Sequence, residues 1–314
     1  MRNLWTTIIV FVLLMLAVFG LQADQASGSL VFFTHERVVF SVAFSPDGSL
    51  LAAASLDGSV SLWRTQGILR NKIRLHDKMV LAVAFSPDGK RLASSSADGT
   101  IAVFDHAGKL QTRLTGHVTN IISLAWSPNG RHIASGADDR RIFIHEPEGK
   151  LVTVLTGQMQ APTTIEFTPD GNSMLVSERG QHFVVYDTKT WRMAKLVKAH
   201  QDVVWDLAIS RDGKLVATGS KDKTVRIWDL NGEKKSEITG FTDEIWTLAW
   251  SPDGKKLACG LRNGELVTVD AMTFKILRIE KAHTTGVPGI AWSPTGKLVA
   301  TGSRDGTIRV WQGL

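Results

Sequence analysis

The sequence predicts an all-β protein: a seven-bladed β-propeller of four-stranded antiparallel blades, closed by an N-terminal strand and preceded by one N-terminal hydrophobic helix. Three observations carry that expectation. A turn tetrapeptide recurs seven times at near-constant spacing, alternating apolar runs flank each copy, and the first of those runs is apolar on both faces.

The first element is the stretch "MRNLWTTIIVFVLLMLAVFGLQADQASG". Arg2 is its only charge before Asp24, and from Leu4 to Leu21 it is apolar apart from Thr6, Thr7 and Gly20. That is long for a signal-peptide core and about long enough to span a bilayer as a helix. Residues 1–23 are therefore expected to be a signal anchor or a signal peptide cleaved after Ala23, with 24–28 a short linker. The charge order, Arg2 before and Asp24 after, points the rest of the chain away from the cytoplasm. The localisation expected is membrane-anchored or secreted, with the propeller on the extracytoplasmic side. A cytoplasmic scaffold with the opposite topology is the rival arrangement.

Residues 29–314 hold the repeats. The tetrapeptides are SPDG at 45, SPDG at 86, SPNG at 127, TPDG at 168, SRDG at 210, SPDG at 251 and SPTG at 293, at spacings of 41, 41, 41, 42, 41 and 42. In most of them Pro fixes φ, and in all of them Gly supplies a positive φ, as a hairpin turn needs. An alternating run such as "VVFSVAFS" precedes the turn and "KLVATGS" follows one. A second tight turn, then "TVRIWD" and "KKSEIT", complete a small antiparallel sheet. The first strand is large on one face (Val42 and Phe44, Val83 and Phe85, Leu124 and Trp126) and small on the other (Ser41 and Ala43, Ala82 and Ala84, Ser123 and Ala125). A sheet apolar on both faces must be sandwiched, and small residues suit a crowded axis, so seven such sheets are expected to stack radially.

These repeats resemble the WD-repeat family, most closely in "KAHQDVVWDLAISRDGKLVATGSKDKTVRIWD" of repeat five. The resemblance implies that a His, a strand Ser or Thr, a turn Asp and a Trp form a buried hydrogen-bonded chain in each blade. By it, His200, Thr218, Asp222 and Trp228 make one set, and His283, Thr301, Asp305 and Trp311 another. Repeat one has Ala53 in place of the hydroxyl, repeat two Phe104 for Trp, and repeat three His145. Repeats four (Gln158, Val176, Gly180, Tyr186) and six (Phe241, Cys259, Asn263, Val269) keep none of the set. Blades four and six are therefore expected to rest more on apolar packing.

Composition narrows function. The chain has 36 basic and 30 acidic residues, a net charge of +6 without long charged runs, so an acidic partner is permitted but not demanded. One cysteine, Cys259, excludes an intrachain disulfide and reads as a buried inert thiol. Five histidines recur at the same repeat position, each with an aspartate at the matching turn, which argues for structural hydrogen bonds rather than a metal site. "HERVV" and "HEPEG" lack the second His of a zinc-protease helix. Nucleophile-elbow and phosphate-loop motifs are absent. No catalytic residue, metal or cofactor is expected, and no nucleic acid as partner.

The expected role is a non-catalytic protein-interaction scaffold, a monomeric propeller that binds a protein or peptide partner on its top face. The alternative is a propeller hydrolase or lyase acting outside the cytoplasm, against which the small inner-strand faces speak. In the resembled family one face of the disc gathers the loops between strands two and three. That face would carry Arg140, Arg141, Arg179, Lys221, Lys223, Arg262 and Arg304, diluted by Glu178, Asp202, Asp243 and Glu244. A solvated mixed surface is the simpler reading of these charges, and a patch for an anionic partner the other. Trp205 and Trp246 hold equivalent positions at the start of the first strand in neighbouring blades, near the expected channel mouth. They suit a partner-binding anchor or a blade cap.

Finally, "SLVFFT" at 29–34 precedes His35 as "KLQTRLTG" precedes His117. It occupies a fourth-strand slot without three strands of its own, so it is expected to close the ring against "RDGTIRVWQGL".

Overall fold

A computed structural model describes residues 21–24, 29–33 and 35–314, and of the side chains before His35 that of Val31. Residues 1–20 of the expected N-terminal helix lie outside that set, and its last residues, from Leu21 on, are strand rather than helix. Residues 25–28 of the expected linker also lie outside it. Among the described residues no helix is long and apolar enough to cross a membrane.

Seven antiparallel sheets form a ring. Their innermost strands are Val39–Phe44, Val80–Phe85, Ile121–Trp126, Pro162–Phe167, Val204–Ile209, Ile245–Trp250 and Gly289–Trp292, and each blade continues outward through its next strands in chain order. Six blades have four strands. The seventh is closed by Ser29–Phe33, which pairs with Thr307–Gln312 from Ser29↔Trp311 to Phe33↔Thr307. This blade differs from expectation in having a fifth strand: Leu21–Asp24 pairs antiparallel with Ser29–Phe33. The boundary expected after Ala23 thus falls within a strand. The closing strand's outer edge offers unpaired main-chain groups, which a hairpin partner satisfies.

The recurring tetrapeptide has a local cause. The Ser45 hydroxyl donates to Asp47 at 2.5 Å and accepts from Leu50 N at 2.9 Å, while Gly48, at φ 72°, turns the chain. The same clasp recurs at Ser86, Ser127, Thr168, Ser210 and Ser251. Burial completes the ring. Seven apolar clusters each join two adjacent blades; one packs Leu50, Leu62 and Ile73 of blade one against Val83, Leu92 and Phe104 of blade two. Each blade's core is therefore half supplied by its neighbour, as the two apolar faces of the innermost strands require. At the axis, a Cβ on Gly289 would lie 2.8 Å from the Phe40 carbonyl oxygen, so blades seven and one approach as closely as glycine permits.

Candidate functional site: the channel mouth

Six of the seven innermost strands carry a bulge after their first residue, as between Val204 and Asp206 and between Ile245 and Thr247. Simple alternation would turn Trp205 and Asp206 to opposite faces. The bulge turns both toward the axis, and both line one open cavity of about 830 Å³ at the end of the channel. Its rim is formed by the bulged residues Phe40, Leu81, Ile122, Thr163, Trp205 and Trp246, with Pro288 at the matching place in blade seven.

The two tryptophans are fixed by one buried carboxylate. Trp205 Nε1 donates to Glu244 Oε2 at 3.1 Å, and Trp246 Nε1 donates to the same oxygen at 3.2 Å. Arg262 Nη1 meets Glu244 Oε1 at 3.1 Å. The Arg304 guanidinium lies over the Trp246 ring, 5.4 Å from its centroid. Of the seven predicted partner-binding residues, Trp205, Trp246, Arg179 and Arg304 line the cavity, and Arg262 braces it from outside. Arg179 is paired with Asp138 at 2.9 Å. Lys221, 3.6 Å from Asp202, and exposed Arg140 lie beyond the lining.

The channel wall holds two carboxylates that the small-face reading passed over. Glu166 stands where other blades have alanine, and Asp206 where they have Ser, Ala, Thr or Gly. Their signal was present in the sequence as two breaks in that pattern. The wall is therefore not purely small and apolar. Asp206 accepts from Thr164 Oγ1 of blade four at 2.6 Å, from its neighbour Leu207 N at 2.9 Å and from Leu248 N of blade six at 2.7 Å. Glu166 accepts from Ile209 N of blade five at 2.7 Å. Ser123 does the same for Ile165 N at 2.7 Å. These side chains are clasps from one blade to the next, satisfying main-chain donors that a curved inner strand cannot pair.

Burial pushes Glu166 up to about 8, with the nearby Asp206 adding to it; burial pushes Asp206 up to about 6 against the hydrogen bonds from Thr164 and Leu248. A carboxyl group whose pKa is raised in the folded state stabilises most below its ordinary value, and loses that contribution as pH climbs through the folded value. Glu166→Gln keeps an acceptor for Ile209 N. It is expected to match the parent near pH 4.5 and to exceed it by about 2 kcal/mol above pH 8. Urea midpoints at the two pH values check this, and parallel curves for both proteins would sink it. His35, His76, His117, His200 and His283 act at the other end. Burial lowers each of their pKa values despite the attraction of an aspartate, so their contribution is present above 6.5 and lost on acidification below it.

Those histidines belong to the blade locks. In blade five Trp228 Nε1 donates to Thr218 Oγ1 at 2.9 Å, His200 Nε2 lies 2.8 Å from that hydroxyl, and His200 Nδ1 lies 2.9 Å from Asp222. Blade seven repeats it with one change: Trp311 to Thr301 is 3.0 Å and Thr301 to His283 2.7 Å, while His283 Nδ1 lies 2.9 Å from the Thr307 hydroxyl and 3.3 Å from Asp305. A neutral imidazole passes the chain in one direction, indole to hydroxyl to imidazole to carboxylate.

Two departures are repaired in ways that position-by-position reading misses. In blade one, Ser61 of the third strand faces Ala53. Its hydroxyl meets His35 Nε2 at 2.7 Å and Trp63 Nε1 at 3.0 Å, replacing the missing hydroxyl from the neighbouring strand. In blade four, Gln158 and Tyr186 are bonded at 2.9 Å across the slot, so this blade does keep a polar lock. With the amide carbonyl accepting the phenol proton, its NH₂ reaches the Arg140 and Leu155 carbonyls at 2.8 and 3.2 Å. Blade six places Phe241, Cys259 and Val269 in one apolar cluster. Burial raises the Cys259 thiol, and it is not poised to react. In blade three His145 stacks on Phe143 at 5.9 Å.

The family described as "WD domain, G-beta repeat" matches residues 28–64, 67–105, 108–146, 191–229, 232–267 and 274–312. The chain belongs to the WD-repeat family. Each matched segment joins the outer strand of one blade to the three inner strands of the next, and the stretch between 146 and 191, mostly blade four, is where the lock is remade by Gln158 and Tyr186. Among curated proteins, this WD-repeat chain is similar to "Intraflagellar transport protein 122 homolog" of Xenopus tropicalis, 41% identical over 56 residues, which is 18% of this chain and 5% of that one. The proteins of that name from Danio rerio and Homo sapiens are each 39% identical over 56 residues, 5% and 4% of their lengths. The chain thus spans a small fraction of the relatives it matches.

Proposed function

We propose that this propeller is a non-catalytic platform that receives a protein or peptide partner at the channel mouth. The observation that carries the reading is the clamp of Trp205 and Trp246 on one buried Glu244 at the edge of an open cavity. Rigid, partly exposed aromatic side chains held at fixed orientation are what binding hot spots use. WD-repeat membership supports a binding role, and so does similarity to proteins named for transport rather than for a reaction. Against the hydrolase or lyase reading, the oxygens of Asp206 are already engaged by hydroxyl and main-chain donors.

Trp205→Ala combined with Trp246→Ala is expected to weaken capture of the natural partner at least about tenfold while leaving the fold's circular dichroism unchanged. Equal capture by the double variant would remove the mouth as the site. On the strength of Arg2, the apolar run from Leu4 to Leu21 and Asp24, the proposal holds the disc outside the cytoplasm, anchored or exported. Protease added to intact cells then digests the propeller; full protection would reverse the topology.

A further inference from the structure

The mouth has two unlike halves. Phe40 and Leu56 of blade one, Met79 and Leu81 of blade two, Ile122 of blade three and Pro288 of blade seven form an apolar arc. Leu56 occupies a turn position that is polar or small in most other blades ("SADG", "SKDK", "SRDG"), and Met79 is 37% exposed. Blades four to six hold the tryptophan clamp with Glu166, Arg179 and Asp206, and Asp138 of blade three and Arg304 of blade seven stand where the two halves meet.

Five charged residues line the cavity, and four are already engaged. Asp138 is held by Arg179 at 2.9 Å and by Asn120 at 3.1 Å. Asp206 takes its three hydrogen bonds from the wall, and Glu166 takes Ile209 N below it. Arg304 is the exception. Its guanidinium rests on the Trp246 face at the rim, with no carboxylate at ion-pair distance among the described residues. A stacked guanidinium keeps its in-plane N–H donors free, and those donors match a carboxylate.

Resting on the reading of the mouth as the partner site, we propose that it selects an extended peptide segment carrying a bulky aliphatic side chain beside an Asp or Glu. The aliphatic group fills the apolar arc from Phe40 to Ile122. The carboxylate meets Arg304, which Trp246 holds in place. Apolar burial supplies the attraction, and Arg304, the cavity-lining cation without an ion pair among the described residues, sets the sign of the charge that accompanies it.

The test uses the purified propeller and three fluorescein-labelled amidated peptides, each a glycine hexapeptide with Leu-Glu, Leu-Lys or Ser-Glu at its centre. Fluorescence anisotropy is expected to show the Leu-Glu probe binding at least about fivefold more tightly than either other probe. Arg304→Gln is expected to abolish the preference over Leu-Lys, and Leu56→Asp or Met79→Asp to abolish the preference over Ser-Glu. Two independent apolar positions guard against a local folding defect at one. Tightest binding of the Leu-Lys probe would overturn the proposal by showing that the wall carboxylates read the ligand. Absence of binding by all three, or indifference to Arg304→Gln, would overturn it as well. Those failures leave the Trp205 and Trp246 capture result standing, whereas a failure of that result rejects the mouth itself.

Discussion

Removing Ser29–Phe33 is expected to unfold the ring cooperatively rather than loosen one blade. The deletion takes away a ladder of five residue pairs against Thr307–Gln312 and the buried side chain of Val31, which is 4% exposed. At about 1 kcal/mol net for each lost main-chain bond and about 2 kcal/mol for the valine, the loss is on the order of 5 kcal/mol. It falls on Val310 and Trp311, whose burial links the seventh blade to the first and sixth. A lowering of the melting temperature by roughly 10 °C or more follows for a domain of this size. Because the deletion also brings Leu21–Asp24 toward the vacated slot, Val31→Asp provides a second route to the same loss without shortening the chain. Unchanged melting in both variants would show that the ring is not closed by this strand.

Ser61→Ala is expected to cost about 2–4 kcal/mol, since it removes the one buried hydroxyl that both His35 Nε2 and Trp63 Nε1 reach. Surface serines cost far less. The structure also names the rescue. Ala53 is the direct cross-strand partner of Ser61, so Ala53→Ser restores a hydroxyl at the position that Thr218 and Thr301 occupy in blades five and seven. The double variant Ala53→Ser with Ser61→Ala is expected to recover at least half of the loss in chemical denaturation. If Ala53→Ser is equally helpful or harmful in both backgrounds, the two positions do not share one lock, and the account of blade one fails.

How much of this was readable from residues alone depends on whether the cause is local. The turn tetrapeptides were legible because one serine hydroxyl, one aspartate and one glycine make a complete unit within six residues. The ring was legible because two apolar faces on every first strand leave no other way to be covered. Closure by Ser29–Phe33 was legible from register, as a fourth strand with no blade of its own. The fifth strand of that blade was not, because Leu21–Asp24 also ends an apolar run that suggests a membrane segment.

Features made by two strands or two blades escaped. Ser61 looks ordinary until the register sets it opposite Ala53. Gln158 and Tyr186 are 28 residues apart and depart from the pattern separately, yet they complete each other. The bulge that brings Trp205 and Asp206 to the same side has no residue signature of its own. Arg140 and Lys221 were grouped with the mouth because their loops share its face, but loop membership does not fix distance from the axis. Glu166 and Asp206 were the most recoverable of the misses, since a charged side chain at a position of alanines demands a partner.

Site-specific photocrosslinking shows whether the partner sits on the mouth. A benzophenone side chain placed at Leu56 or Met79, on the apolar arc, is compared with one at Ile68 or Met193, exposed on the outer edges of blades one and four. A covalent adduct with the partner is expected from Leu56 and Met79 and none from Ile68 and Met193. Adducts from the edge positions alone would contradict it.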